Sequence, residues 1–293
     1  MVIVITGPTA VGKTKMSVEL AKKLNGEIIN ADSTQVFKQL NIATAKIKEE
    51  EKENITHHLF DIKEINENYT VYDYQKDARN LINDILKRGK TPILVGGTGL
   101  YIKACLYDYK FDDEVKINEY ENLTNEEIYN KLINIDKNIN IHINNRKRLV
   151  RALNYYESTG KLFSEKEKTD KLLYDTIFIG LTTTRDILYE RINKRVDVMV
   201  EEGLLIEAKN IYDSNIRTKA IITPIGYKEL FPYFENKKTL EECLELIKQN
   251  SRKYAKRQYT WFNNQMDIKW FNVDFDDFNN TIEEVYKYIK KID

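Results

Sequence analysis

The sequence is poor in the residues that staple or interrupt a chain: 2 cysteines, 4 prolines and 11 glycines among 293 residues. Cys105 and Cys243 have neither a CxxC partner nor clustered histidines, which excludes a disulfide framework or a zinc knuckle and suits a reducing cytoplasm. No apolar run approaches the ~18 residues of a membrane helix, so no membrane partner is expected. The start, MVIVITGPTA, lacks the basic residues and cleavage site of a secretory signal and reads as a first core strand. Net charge is also missing, since 46 basic side chains cancel 46 acidic ones, and this alone disfavours a nucleic-acid partner. The balance is nonetheless made of opposing patches. Acids gather at 112–127 and 274–284, bases in RKRLVR (146–151) and RKYAKR (252–257). What remains, 42% hydrophobic and 31% charged residues, is the composition of an ordinary globular chain, here expected to be a monomer.

The scarce glycine is concentrated. Five residues of the 11 fall in GPTAVGKT (7–14) and VGGTGLY (95–101), each after an apolar run of strand length (2–6, 92–95) and before a helical pattern. Further strands are expected at 27–31, 176–182 and 267–273, and helices at 13–24, 71–87, 184–201, 204–212, 239–262 and 277–292. This alternation predicts an α/β fold, a P-loop NTPase-like parallel sheet covered by helices. Between 112 and 173 the rhythm gives way to Asn-, Lys- and Glu-rich helical segments. The chain therefore divides into a core of 1–111 and 174–293 and a helical insertion of 112–173.

GPTAVGKT satisfies G-x-x-x-x-G-K-[ST] in the strand-to-helix context that gives the motif meaning. The loop Gly7, Pro8, Thr9, Ala10, Val11 and Gly12 would cradle a di- or triphosphate with its N–H groups. Lys13 would neutralise the charge and Thr14 would ligate Mg²⁺. The strand that ends in an acid is 27–31, which brings Asp32, Ser33 and Gln35 to the carboxyl edge beside the phosphate loop. Asp32 is then a metal ligand, a general base or simply the cap of a turn. VGGTGLY either lets a ligand approach or makes a tight turn. His57 and His58 lack metal spacing and are assigned a structural role. Arg252 with Lys256, and Lys253 with Arg257, form basic stripes beside Tyr259, Trp261 and Phe262; they suit phosphate contact and base stacking, or a solvated face over core aromatics.

Together GPTAVGKT, ADSTQVF, TAK (44–46), HHLFD (57–61), VGGTGLY, RKRLVRAL (146–153), RVDVMVEEGLLIE (195–207), IGYKE (225–229) and KRQYTWF (256–262) resemble the tRNA dimethylallyltransferase family in order and spacing. The resemblance implies transfer of a prenyl group from dimethylallyl diphosphate to N6 of the adenosine immediately 3′ of the anticodon, with Mg²⁺ at Thr14. Lys13 and Thr14 would hold the diphosphate and Asp32 would take the N6 proton. The flipped base would lie among Asp32, Ser33, Thr34, Gln35 and Thr98, and the anticodon stem-loop of tRNA would meet Lys147, Arg148, Arg151, Gly226, Lys228, Lys256, Arg257 and Gln258. Thr34 and Phe37 depart from the Met and Tyr common at those places, as Ala43 and Ile47 depart from GTAKP. The missing C-terminal Cys/His finger implies a bacterial-type cytoplasmic form. An enzyme prenylating free adenine nucleotides, a P-loop small-molecule kinase and a tRNA-binding module without catalysis are the rival readings.

Overall fold

The computed structural model describes residues 1–111, 118, 120–165 and 171–292. The chain divides into two compact units, residues 1–107 with 172–293, and residues 108–171. In the first, six parallel strands run β1 (Val2–Thr6), β2 (Gly26–Asn30), β3 (His57–His58), β4 (Thr91–Val95), β5 (Thr176–Thr182) and β6 (Lys269–Asn272), in the sheet order β3-β2-β4-β1-β5-β6. Helices α1 (Lys13–Lys23), α2 (Val71–Lys87) and α3 (Gly99–Leu106) belong to this unit. The second unit has α4 (Asn125–Ile135) and α5 (Arg146–Thr159), packed around Ile128, Leu132, Leu149 and Leu153. The first unit then resumes with α6 (Arg185–Glu201), α7 (Leu204–Asp213), the single turns α8 (Lys219–Ile222) and α9 (Phe231–Phe234), α10 (Leu240–Gln265) and α11 (Phe278–Ile292).

A sheet covered on both faces buries both sets of alternating side chains. In β1, Ile3 and Ile5 enter one core with Met16, Leu20, Ile192, Val285 and Ile289, while Val2 and Val4 enter the other with Tyr74, Ile82 and Ile102. A third cluster, around Val36, Leu40, Leu204, Tyr227 and Ile247, lies beneath the segments that follow β2 and α6.

The expected strands and long helices are present within one to three residues of their predicted ends. Two features differ. The pair His57–His58 is a short edge strand, and His58 Nε2 lies 2.8 Å from the buried Glu27 carboxylate, which also receives Arg88 and Lys90. Arg88 above all holds the Glu27 carboxyl well below the usual range. The second difference concerns neighbours: β2 is not beside β1, because β4 pairs with both, Ile93 lying opposite Ile3 on one side and Ile28 on the other. The two loops that leave β1 and β2 are thus two strand spacings apart, about 10 Å. Among the described residues no helix is long and apolar enough to cross a membrane. The acidic stretch 112–127 falls partly outside the described residues, as do 166–170 near the end of the expected insertion.

The turn after β4 explains two of the scarce glycines. A Cβ on Gly96 would lie 2.2 Å from the backbone of Ala31, and one on Gly97 would lie 2.0 Å from Gln258 Nε2. The glycines admit the protein's own chain. Because backbone cannot step aside as a side-chain tip can, Gly96→Ala is expected to destabilise the fold by roughly 2–3 kcal/mol. Urea unfolding followed by circular dichroism checks this; a loss under 0.5 kcal/mol would show that the β2 and β4 ends are free to separate.

Candidate active site

The carboxyl ends of β1, β2 and β4 open on one cavity of about 530 Å³. On its β1 side is the loop 7–14. Gly12 and the non-glycine Ala10 both have left-handed backbones, φ 90° and 67°, and α1 starts at Gly12 with no side-chain cap. The first N–H groups of α1 are thereby left for an anion. Lys13 Nζ donates to the carbonyls of Gly7 (3.1 Å) and Pro8 (2.7 Å), and Thr9, Ala10, Gly12, Lys13 and Thr14 all line the cavity. The Val11 side chain is fully buried in the core, so only its backbone can serve the loop.

Sequence reasoning assigned no role to Arg195, yet its guanidinium reaches Thr9 Oγ1 (3.3 Å) from α6 and lines the same cavity. Its signal was present in RVDVM but had no meaning until α6 was laid against the phosphate loop. Burial first, then the neighbouring Arg195, push the Lys13 ammonium down to about 8, with Asp32 opposing. Two cations facing one carboxylate make a site that gains from an anion of more than one charge.

The β2 side presents Asp32. Its backbone is fixed by Asn30, whose Oδ1 accepts from Asp32 N (2.9 Å) while Nδ2 donates to Asp32 O (3.1 Å) and Leu59 O (3.0 Å). Asp32 Oδ1 accepts from Thr34 N (3.0 Å) and Thr34 Oγ1 (2.7 Å). Thr34, a departure from the family pattern, therefore holds one carboxylate oxygen, and the residue still lines the cavity. Ser33 N donates to Thr98 Oγ1 (3.0 Å), which joins the β2 and β4 edges. Tyr254 on α10 was also missed: it lines the cavity in contact with Thr98 and Gln258, and its phenol is raised by burial and by Asp32. His57 Nδ1 is bonded to Ile55 O (2.8 Å), and Nε2, turned to the cavity wall, is buried without a partner among the described residues.

The expected tRNA-contact residues separate into two kinds. Lys256 and Arg257 are exposed on α10 and, with Lys253 and Trp261, line a second open groove of about 520 Å³; Arg257 lines both cavities. Lys147, Arg148 and Arg151 are exposed on α5 of the second unit, and Lys228 is exposed at the cavity rim with Nζ on Ile222 O (2.8 Å). Gln258 and Gly226 are buried, unlike the other residues expected to meet tRNA. Gln258 is 5% exposed, and its amide is spent inside the chain, accepting from Thr9 N (3.1 Å) and donating to Gly97 O (3.1 Å). Gly226 is buried against Ala43. Gln258 nevertheless lines the cavity beside Tyr254, whereas Gly226 does not. Arg252 is tied to Asn193 and Glu245, and Phe262 is wholly in the core.

Among the described residues no group of three His, Cys, Asp or Glu side chains could hold a metal by itself. The Thr14 hydroxyl, on the cavity wall that carries the phosphate loop, does fit Mg²⁺, which takes few protein ligands and completes its shell with water and substrate phosphates.

Comparison with known proteins identifies the family. The family model described as IPP transferase matches residues 35–265. The tRNA dimethylallyltransferases of Anoxybacillus flavithermus and Geobacillus thermodenitrificans are 51% and 48% identical, over 99% and 98% of this chain and 96% of each relative. Among solved structures, the tRNA isopentenylpyrophosphate transferase of Bacillus halodurans superposes with a TM-score of 0.78 at 44% identity, covering 99% of this chain and 95% of that one. A eukaryotic dimethylallyltransferase acting on tRNA gives 0.78 at 36% identity, over 92% and 73% of the two chains. With a family model spanning most of its length and relatives at half identity, the chain belongs to the IPP transferase family.

Proposed function

We propose that this chain transfers the dimethylallyl group of dimethylallyl diphosphate to N6 of the adenosine immediately 3′ of the anticodon in tRNA. The observation that carries the reading is the single cavity with a phosphate loop on one wall and an anchored carboxylate, Asp32, on another. The separation of about 10 Å between the β1 and β2 ends leaves room for a diphosphate, an allylic carbon and an amine in line.

In this reading the loop N–H groups, Lys13 and Arg195 hold the diphosphate. The allylic C–O bond breaks and its electron pair leaves with the diphosphate, while the N6 lone pair forms the new C–N bond. Asp32 takes the N6 proton. Adenine N6 is a weak nucleophile because its lone pair is delocalised into the ring, so alignment and stabilisation of the leaving group supply most of the acceleration. Mg²⁺ at Thr14 would share the charge of the leaving group. The base leaves its stack to reach the pocket of Asp32, Ser33, Thr34, Gln35 and Thr98. The cations of α10 (Lys256, Arg257), Lys228, and those of the insertion (Lys147, Arg148, Arg151) contact the tRNA backbone, which local basic patches attract despite zero net charge.

Incubation with radiolabelled dimethylallyl diphosphate, Mg²⁺ and either unmodified tRNA or AMP, followed by nucleoside analysis, tests the reading directly. Label in the adenosine beside the anticodon supports it; label only in AMP transfers the function to the free-nucleotide class. Asp32→Asn, nearly isosteric but unable to accept the proton, is expected to lower the single-turnover rate roughly 10²- to 10⁴-fold with tRNA affinity kept. A rate within threefold of wild type removes Asp32 as base.

The lowered Lys13 ammonium also predicts a pH profile. Below about 8 the group is charged and grips the diphosphate; above it the charge is lost. With saturating tRNA, kcat/KM for dimethylallyl diphosphate should therefore fall as pH rises through about 8, by up to about tenfold per pH unit. Lys13→Arg should abolish that fall whatever its effect on the absolute rate, and an unchanged profile would assign the titration to another group.

A further inference from the structure

One carboxylate outside the phosphate loop gathers the largely half-buried segment that follows β2. Glu207, on α7, accepts from three successive backbone N–H groups of the segment after β2: Asn41 (3.1 Å), Ile42 (2.9 Å) and Ala43 (3.2 Å). Its Oε1 also accepts from the hydroxyl of Tyr227 (2.7 Å), a side chain with no exposure at all. Gly226 packs on Ala43, and its N–H donates to Glu229 Oε2 (2.9 Å), which Asn250 holds through Oε1 (3.0 Å). The segment is closed on itself as well, with Thr44 Oγ1 on Leu40 O and Lys46 N on Asn41 O.

The other side of this segment meets the cavity. The carbonyls of Thr44 and Ala45 accept from Gln35 Nε2 at 2.9 and 3.3 Å. Both amide hydrogens of Gln35 are thereby spent, which fixes the amide's orientation, and its oxygen receives no donor from a described residue while the side chain lines the cavity with Asp32. An acceptor presented beside a carboxylate suits an exocyclic amine, which has two hydrogens to give. It opposes a ring carbonyl at the same place, where two lone pairs would meet.

We infer that Glu207 and Tyr227 are positioning residues: through the 41–45 segment they hold Gln35 with its amide oxygen toward the cavity, as the second acceptor for the amine that Asp32 deprotonates. The inference rests on the proposed transfer to adenine N6. Neither residue touches substrate. Their contribution reaches the base through Thr44 O, Ala45 O and the Gln35 amide, so it should vanish when Gln35 is removed.

A double-mutant cycle tests this, with single-turnover transfer to tRNA at saturating dimethylallyl diphosphate as the readout. Tyr227→Phe, which deletes one buried hydroxyl and keeps the ring, should slow transfer about tenfold. KM for dimethylallyl diphosphate should stay within about twofold, because the phosphate loop is untouched. Gln35→Ala should slow transfer at least as much, and the double variant should match Gln35→Ala alone. A double variant in which the two factors multiply overturns the inference, as does a Tyr227→Phe rate equal to wild type. Should Tyr227→Phe fail to fold, Glu207→Gln enters the same cycle, and loss of the fold in both gives the pair a purely structural role and overturns it too. Failure of the functional reading is distinguishable, since the wild-type protein would then leave tRNA unlabelled before any variant is compared.

Discussion

A buried amide ties the site together. Gln258 accepts from the phosphate loop at Thr9 N and donates to the turn after β4 at Gly97 O, from a helix that begins eighteen residues earlier in the chain order of α10. Gln258 is 5% exposed and its bond to Gly97 O is buried, so loss of that partner would leave a buried polar group unsatisfied. The loop, the turn and the helix are therefore linked through one side chain. The missing side chain of Gly97 is the space the amide occupies, and Tyr254, one turn earlier on α10, reaches Thr98 and the cavity from the same helix.

The electrostatics follow from this assembly. Among the described residues Lys13 and Arg195 come to one wall with no ion pair to an acidic side chain, while Asp32 lines the same cavity with one oxygen already held by Thr34. Burial above all, and then the like charge of Arg195, lower the Lys13 ammonium. A polyanion arriving there relieves that repulsion. The intervening β4 separates the strand that leads to this carboxylate from the strand that leads to the phosphate loop.

Much of the fold was legible in the sequence because strands buried on both faces read as unbroken apolar runs and helices carry their own caps. Val2–Thr6 and Val71–Lys87 have the ends expected of them, the latter marked by the Thr70 and Asp73 capping box. The edge strand His57–His58 was not legible, since two polar residues have no periodicity and are strand only because β2 lies beside them. Basic residues in a pattern are ambiguous for a related reason. Arg252 and Arg257 lie on one helix, yet the first is bound to Asn193 and Glu245 and the second faces both cavities.

The sequence by itself determined the phosphate loop, the acid that follows the second strand and the alternation that makes a parallel sheet, because each is a local matter of spacing. Only the tertiary structure decided which residues share the cavity. Arg195 reaches Thr9 across 186 positions, Gln258 reaches it across 249, and Glu207 holds Ile42 across 165. No local pattern encodes such pairs. They are set by which helix packs over which strand edge, and the same packing buries Gln258 and Gly226 within the chain.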